Sequence, residues 1–404
     1  MPEGDDVTVV VSTAIMDDNV ELVEAKRRGL NIIHRAQLLS YLGRNLKTLA
    51  VAGTHGKTTT SSMLACVLDE MKLDPTFVIG GMVLQYDTNA RPGSGDFYVV
   101  EADESDKSLT CLNPHAVIVT SIESDHLDHY NSLDEIYEKF GQFIASVPDG
   151  NPAVVCADDE KLVELAKKNT SNVVTYGFSE NADVRIVESK RVGVGSTFSV
   201  QLKSGEVVKS AITKNPGTHN ELNATACLAL IEALGLDVNL AAIKMKNFSG
   251  VHRRFELVGS ANNITVIDDY AHHPTEIKAT IHAATELDFK RIHVVFQPHR
   301  YSRATLFCEV LADEFGSAFD EASSLTFTNV YAAGETPIPG VSGETFLEPI
   351  LAHEGHPSVN YVPRLGDVPE AIAKVAEPGD LVITMGAGDV TSIGPVILDA
   401  IRRA

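Results

Sequence analysis

Residues 46–66 read Leu-Lys-Thr-Leu-Ala-Val-Ala-Gly-Thr-His-Gly-Lys-Thr-Thr-Thr-Ser-Ser-Met-Leu-Ala-Cys, and the rest of the chain is organised around them. Leu49 to Ala52 is an apolar run of the kind that forms a buried parallel strand. Gly53 to Thr58 is a tight loop. The residues after it suit a helix, with Met63, Val67 and Glu70 spaced to lie on or near one face. Strand, glycine-containing loop and helix make a phosphate cradle: N–H groups of the loop and helix start point at anionic oxygens, and the helix dipole adds to the attraction. On this reading Gly53, Thr54, His55, Gly56, Lys57, Thr58 and Thr59 surround a nucleotide's phosphates. Lys57, expected to be exposed on the loop, reaches the β- and γ-phosphates, and the hydroxyl of Thr58 or Thr59 takes a Mg²⁺ position. The common Gly-x4-Gly-Lys-Thr spacing would put glycine at position 51, where Val51 stands. A plain strand-to-helix turn asks for glycine but not for Gly-Lys-Thr in that order, so phosphate binding is the stronger reading.

The chain has 404 residues, which predicts two or three domains, and a hydrophobic content of 44% that supports full cores. A net charge of −22 argues against nucleic acid as a general partner and suits a soluble, dispersed protein. The five cysteines are scattered and form no Cys-x-x-Cys, as in a reducing compartment without a disulfide framework or zinc site. With no long apolar run and no basic-then-apolar leader, a cytoplasmic protein without a membrane partner is expected.

In chain order, Val7 to Val11 reads as a strand, Asn19 to Gly29 as a helix with a glycine stop, and Leu30 to Ile33 as a second strand. This βαβ piece is too short for a domain. Residues 44–250 alternate strand and helix signals. Phe97 to Val100 leads into an acidic cluster, Glu101-Ala102-Asp103-Glu104-Ser105-Asp106. Ala116 to Thr120 leads into Glu123-Ser124-Asp125-His126-Leu127-Asp128. In open α/β sheets ligands sit at the carboxyl ends of strands, so both clusters fall on the rim of the phosphate loop. Solvated acidic loops are common in so acidic a chain, but two of them beside a Lys-Thr loop favour Mg²⁺ ligation, with Glu101 and His126 as oxygen and nitrogen donors. Residues 176–210 look like β hairpins. Asn215 to Asn223 precede an Ala/Leu-rich helix and either form its N-capping stretch or set Asn220 and Asn223, one turn apart on one helix face, to offer amides to a base or phosphate.

Residues 251–404 form a second α/β unit. A cationic stretch, Val251 to Phe255, opens it. Strands then lead into Asp268-Asp269-Tyr270-Ala271-His272-His273, into Gln297-Pro298-His299-Arg300-Tyr301-Ser302-Arg303, and into Gly386-Ala387-Gly388-Asp389. Guanidinium groups on strand-end loops suit phosphate or carboxylate better than a bare solvated patch does.

Taken together, Gly-Thr-His-Gly-Lys-Thr-Thr-Thr at 53–60, Glu-Ala-Asp-Glu-Ser-Asp at 101–106, Asp125 to Asp128, His219-Asn220 with Asn223, Arg253 to Phe255, Asp268 to Glu276, Gln297 to Arg303 and Tyr331 to Glu335 resemble the Mur ligases over roughly residues 7–390. The resemblance implies an α/β chain in three parts. Residues 1–43 would be a βαβ remnant of an N-terminal Rossmann-like UDP-substrate domain. Residues 44–250 would be a central P-loop-type parallel-sheet ATPase domain, and 251–404 a Rossmann-like ligase domain. It implies an amide-bond-forming ligase that uses ATP and Mg²⁺ to join an amino acid to a nucleotide-sugar carboxylate through an acyl phosphate. The nearest branch adds L-alanine to UDP-N-acetylmuramate in peptidoglycan synthesis.

By the same resemblance Lys57, Glu101, His126, Arg254 and Asp269 are catalytic. Thr58, Glu101 and His126 hold the metal. Asn220, Asn223, Arg254 and Asp269 face the nucleotide. His126, His272, Arg300 and Arg303 meet substrate. A branch that attaches a preformed tripeptide is the nearest rival, disfavoured by Asp103-Glu104-Ser105-Asp106-Lys107-Ser108. A non-catalytic nucleotide binder is the rival from another class. Residues 1–43 lack the Gly-rich loop that holds the UDP moiety in the family. The expectation from sequence is therefore a chain that binds Mg·ATP and forms little product.

Overall fold

The computed structural model describes residues 2, 4, 6–104, 108–123, 132–212 and 214–404. The chain forms two compact units: Met1–Lys190 with Thr197–Ala211 and Leu222–Phe248, and Ser249–Ala404 with Arg191–Ser196 and Ile212–Glu221.

The first unit opens with the expected βαβ piece. Strands β1 (Thr8–Val11) and β2 (Asn31–His34) pair in parallel and flank helix α1 (Val20–Arg28). Asn19 caps α1 by accepting from the N–H groups of Glu21 and Leu22, and Gly29 ends it in the left-handed region at φ 66°. A further helix, α2 (Arg35–Leu42), has no counterpart in the sequence reading. It starts on an atypical cap: the His34 ring accepts from Ala36 N–H, and Gln37 Oε1 accepts from His34 N–H.

A ten-stranded sheet follows, made of β3 (Lys47–Ala52), β4 (Thr76–Val83), β5 (Thr88–Arg91), β6 (Phe97–Glu101), β7 (Ala116–Val119), β8 (Ala153–Cys156), β9 (Val173–Gly177), β10 (Val184–Val192), β11 (Gly195–Gln201) and β12 (Val207–Ile212). Its order is β12-β11-β10-β9-β8-β7-β3-β6-β4-β5. Strand β3 sits between β7 and β6 and runs parallel to both. Val51 pairs with Glu101 and Ile118, and Ala52 with Val119, so the three strands end level on one rim.

Helix α3 (Lys57–Glu70) buries Met63 and Val67, which the sequence spacing puts on one face, but its burial goes further. Every residue from Thr59 to Leu68 is buried, so it is a central helix without a solvent stripe. Its hydroxyl run is accommodated by back-bonding, with Ser61 Oγ donating to the Lys57 carbonyl and Ser62 Oγ to that of Thr58. Helices α4 (Leu133–Ala145), α5 (Glu160–Asn169), α6 (Thr218–Ala233) and α7 (Val238–Met245) complete the helical layers, and Cys227 of α6 donates to the Thr60 carbonyl. No helix of the described residues is long and apolar enough to cross a membrane.

The second unit is a six-stranded sheet of β13 (Glu256–Ala261), β14 (Ile264–Asp269), β15 (Ile292–Phe296), β16 (Ser324–Phe327), β17 (Ser358–Tyr361) and β18 (Leu381–Met385), ordered β13-β14-β18-β15-β16-β17. Only β13 is antiparallel to its neighbour. Alternate residues feed two cores. Val294, Phe296, Leu381 and Ile383 pack with the phenylalanines of one face, while Val295 and Val382 join Val390 and Ile397 on the other. Helix α8 (Pro274–Thr285) follows β14. Asp269, Met385, Phe296 and Phe327 end their strands in register, so the loops after β14, β18, β15 and β16 share one rim. At the strand starts, buried Asp380 accepts from the Arg291 guanidinium, from His293 Nε2 at 3.0 Å and from Glu377 N–H. Burial pushes the Asp380 carboxyl up, but these donors outweigh it and hold it down at about 2.

Candidate active site

The phosphate loop is short because β3 runs on to Ala52. Val51, at the position where the common pattern has glycine, is a fully buried strand residue. Two glycines then make the turn possible. Gly53 has φ +136°, and a Cβ there would lie 2.0 Å from Thr120 Oγ1. Gly56 has φ +79° as the N-cap of α3, and its Cβ would lie 2.6 Å from Asn223 Oδ1. The segment after β7 braces the loop. Thr54 N–H donates to the Ser121 carbonyl at 2.9 Å, Glu123 N–H to Thr54 Oγ1 at 2.8 Å, and His55 N–H to Ser121 Oγ at 3.3 Å. His55 Nε2 lies 3.3 Å from a Glu123 carboxylate oxygen.

Lys57 is not the exposed lysine expected from sequence. Its side chain is 14% exposed, and it is paired with Glu104, whose side chain is 4% exposed. The ammonium donates to the carbonyls of Gly53 at 2.6 Å and Thr54 at 3.1 Å, and to Glu104 Oε1 at 2.7 Å. The cause is topological: β6 lies beside β3, so the acidic segment after β6 hangs over the phosphate loop. Burial opposes the charge on Lys57, but Glu104 and then Glu101 outweigh it and raise its pKa. Glu104 is pushed up to about 7 by burial, with Lys57 pulling the other way.

Thr58 and Glu101 meet beside this pair. Thr58 Oγ1 donates to Glu101 Oε1 at 3.0 Å, and Gly80 N–H donates to Glu101 Oε2 at 2.8 Å. An oriented carboxylate and a hydroxyl oxygen are the hard donors Mg²⁺ takes, so these residues fit that ion. Thr59 is buried in the first turn of α3. His126 lies outside the described residues, as do Asp125, Asp128 and the stretch from Ser105 to Lys107. Helix α6 starts at Thr218, so Asn220 and Asn223 are inside it rather than before it. The Asn223 amide oxygen accepts from Thr60 Oγ1 at 3.1 Å, next to the phosphate loop. Asn220 is buried, and its amide donates to the Pro216 carbonyl at 2.7 Å.

In the second unit Asp269 is a clamp. Its carboxylate accepts from Phe255 N–H at 2.7 Å, Ala271 N–H at 2.8 Å and Thr280 Oγ1 at 3.2 Å. Burial pushes it up to about 6 against the pull of Arg254 and these N–H groups. It thereby fixes the turn carrying Arg253 and Arg254, in which Arg253 and Phe255 have φ of 60° and 50°. The Arg254 guanidinium lies 3.6 Å from Glu276 and 5.1 Å over the Tyr270 ring. Arg253 bonds Asp268 at 3.1 Å and the Gly386 carbonyl at 2.5 Å.

His272 contacts the Tyr270 carbonyl at 3.1 Å, and its ring lies 6.1 Å from that of His299. His299 stacks on Tyr331 and is lowered to about 4 by burial, then by Arg303 and Arg300. Arg300, at φ 68°, donates its N–H to the Tyr331 carbonyl, and Arg303 stands over Phe307. The rim thus brings His272, Arg300 and Arg303 into one neighbourhood through His299. Sequence reasoning missed His299 and the Gln297–Asp389 brace at 2.7 Å behind it. It also missed Glu104 as the partner of Lys57. All four were in quoted motifs, but nothing in a string of acids says which one reaches the lysine.

The Mur ligase middle domain matches residues 51–231, and the Mur ligase, glutamate ligase domain matches residues 253–388. The UDP-N-acetylmuramate–L-alanine ligase of Pelotomaculum thermopropionicum is 45% identical over 401 residues, covering 99% of this chain and 86% of that protein. The chain belongs to the Mur ligase family. The UDP-N-acetylmuramate–L-alanine ligase of Geobacter sulfurreducens is 44% identical over 407 residues, covering 99% of this chain and 86% of that relative. Among solved structures of Mur ligases, the UDP-N-acetylmuramate-alanine ligase of Thermotoga maritima matches with a TM-score of 0.81 at 28% identity, covering 98% of this chain and 85% of that one. The α/β fold read from the sequence is that of this family, with edge strands β5 and β13 antiparallel to their neighbours.

Proposed function

We propose that this Mur ligase joins L-alanine to the carboxylate of UDP-N-acetylmuramate, consuming ATP with Mg²⁺. The observation that carries the reading is the phosphate loop of the first unit. Lys57 and the Thr58–Glu101 pair stand together at the ends of β3 and β6, in a chain 45% identical to a ligase of that name. Phosphoryl transfer is mostly positioning and charge stabilisation, and these groups supply both. Lys57 would contact the transferring phosphoryl group. Thr58 and Glu101 would hold Mg²⁺, which when bound neutralises phosphate charge. Gly53 to Thr59 would cradle the phosphates, with Asn223 supporting the turn at Gly56. Asn220 shapes the start of α6. In the second unit, Arg254, set by Asp269, would face the nucleotide. His272, Arg300 and Arg303 would bind the substrate's carboxylate or phosphate oxygens, for which guanidinium groups are suited.

The test is product formation by the full chain from UDP-N-acetylmuramate, L-alanine and Mg·ATP. UDP-N-acetylmuramoyl-L-alanine and ADP should appear in equal amounts, dependent on all three. Preference for a preformed tripeptide over L-alanine would overturn the assignment.

A further inference from the structure

Arg300 has φ +68°, a left-handed conformation that a residue other than glycine keeps only where its surroundings hold it. The segment after β16 holds it. Arg300 N–H donates to the Tyr331 carbonyl at 2.8 Å, and Tyr331 N–H donates back to the Pro298 carbonyl at 2.8 Å. These bonds make a parallel bridge between His299 and Tyr331, whose rings stack at 5.7 Å with 16° between their planes. Tyr331 is in turn backed by the loop after β18. A Cβ at Gly388 would lie 2.6 Å from Tyr331 Cβ, so only glycine lets the two segments approach so closely. Further along the same segment, Glu335 Oε1 accepts from Ser302 Oγ at 2.6 Å and Glu335 Oε2 from Ser302 N–H at 3.1 Å. Arg300 Nε stays 4.0 Å from Glu335 Oε1, close enough to be attracted and too far to hydrogen-bond.

We propose that Tyr331 and Glu335 are positioning residues: they clamp the basic loop at Arg300 and at Ser302, so that the Arg300 and Arg303 guanidiniums meet the oxyanion of a substrate already oriented. The inference rests on the reading of those arginines as substrate contacts. A guanidinium on a free stem loses rotamer entropy when its ligand arrives, and a bidentate contact demands one direction of the fork. The backbone bridge sets the direction in which Arg300 leaves the chain. Ser302, held at both its N–H and its hydroxyl, sets the step from Arg300 to Arg303. The ring stack supports the bridge without adding charge, because burial, then Arg303 and Arg300, hold His299 down at about 4 and leave its ring neutral near pH 7. The Tyr331 hydroxyl takes no part in these contacts. Tyrosine acts here through its backbone and its ring face.

The experiment is steady-state ligation by the full chain, with UDP-N-acetylmuramate, L-alanine and Mg·ATP each varied in turn. Arg300→Lys identifies the substrate that this guanidinium holds, as the one whose KM rises. Tyr331→Ala, which removes the stack, and Glu335→Ala, which removes the anchor on Ser302, should each raise that same KM about three- to tenfold and leave the other two within about twofold. Tyr331→Phe keeps the ring and the bridge and should match the wild type. Because the clamp acts through the arginine, Tyr331→Ala should add little to the KM of Arg300→Lys. Lowered melting temperatures with all KM values unchanged in both alanine variants would overturn the proposal and leave the ligase reading standing, and so would effects that multiply in the double variant. Unchanged KM values in Arg300→Lys would remove Arg300 from the substrate site and overturn the proposal with it. If Tyr331→Ala does not fold, Glu335→Ala, alone and with Arg300→Lys, decides by the same criteria.

Discussion

Gly56→Ala offers a quantitative test of how the phosphate loop is built. Two separable costs attach to the new methyl group. Gly56 has φ +79°, a conformation that costs an L-residue about 1–2 kcal/mol. The Cβ would also lie 2.6 Å from Asn223 Oδ1, so the amide must move. That amide oxygen accepts from buried Thr60 Oγ1 at 3.1 Å, and losing the bond adds about 1 kcal/mol. The sum is about 2–3 kcal/mol. Asn223→Ala alone should cost about 1–2 kcal/mol, because it leaves the Thr60 hydroxyl without this acceptor. In that background Gly56→Ala meets no amide and should cost only its backbone share. The double variant should then be more stable than the sum of the singles by about 1 kcal/mol. Native-state hydrogen exchange on the α3 amides is the suitable assay, since global unfolding of a chain with two compact units need not be two-state. Additivity within about 0.3 kcal/mol would show that Asn223 does not crowd Gly56, and the account of the loop would fail.

Lys57→Met should abolish ligation and also lower stability by about 2 kcal/mol, because buried Glu104 loses the ammonium that its Oε1 accepts from. A carboxyl raised above its unfolded value loses stability as pH rises, so this variant should melt lower at pH 8 than at pH 6, and the opposite trend would contradict the buried pair. Thr58→Val and Glu101→Gln should each raise the Mg²⁺ concentration needed for half-maximal rate while leaving the L-alanine KM within about twofold; an unchanged metal requirement in both would remove them from the metal site. Asp380→Asn should cost about 3 kcal/mol through loss of its bonds to Arg291 and His293. Because Asp380 is held at about 2, its contribution is present above pH 4 and lost as pH falls toward 2, so the variant's melting temperature should vary less with pH across that range than the wild type's.

The rim logic of open α/β sheets was legible because strands are short apolar runs and the polar loops follow them directly. Glu101, Asp269, Gln297 and Gly386 were placed at strand ends on that basis, and each stands there or one residue beyond. What sequence could not supply was lateral order. Nothing in residues 46–104 says that β6, not β4, lies beside β3, and that adjacency is what buries Lys57 against Glu104. Helix α2 was missed because a histidine and a glutamine make its cap in place of the Ser, Thr, Asp or Asn that usually signals a helix start. Met63 and Val67 lie on one buried face as their spacing suggests, but burial extends round the helix. Hydroxyls at Thr60 to Ser62 look polar in the string, yet they bond internally and pack as core.

A chain of net charge −22 that handles anionic substrates has to keep its cations from being wasted on its own surplus of acids without leaving them bare. The arrangement here gives each of three cations, at the places proposed for phosphate and carboxylate, an acidic neighbour. Lys57 meets Glu104 at 2.7 Å, Arg254 meets Glu276 at 3.6 Å, and Arg300 approaches Glu335 at 4.0 Å. An unpaired cation held out of water would be costly to keep in the resting protein, and a surface cation would be weakened by solvent and salt. A paired one is oriented before the ligand arrives, and binding becomes an exchange of one anion for another. Such exchange lowers net affinity, because a carboxylate must be displaced each time. It also sharpens discrimination: the displaced carboxylate has to be accommodated, and only a ligand bringing phosphate oxygens to the same point compensates for the loss.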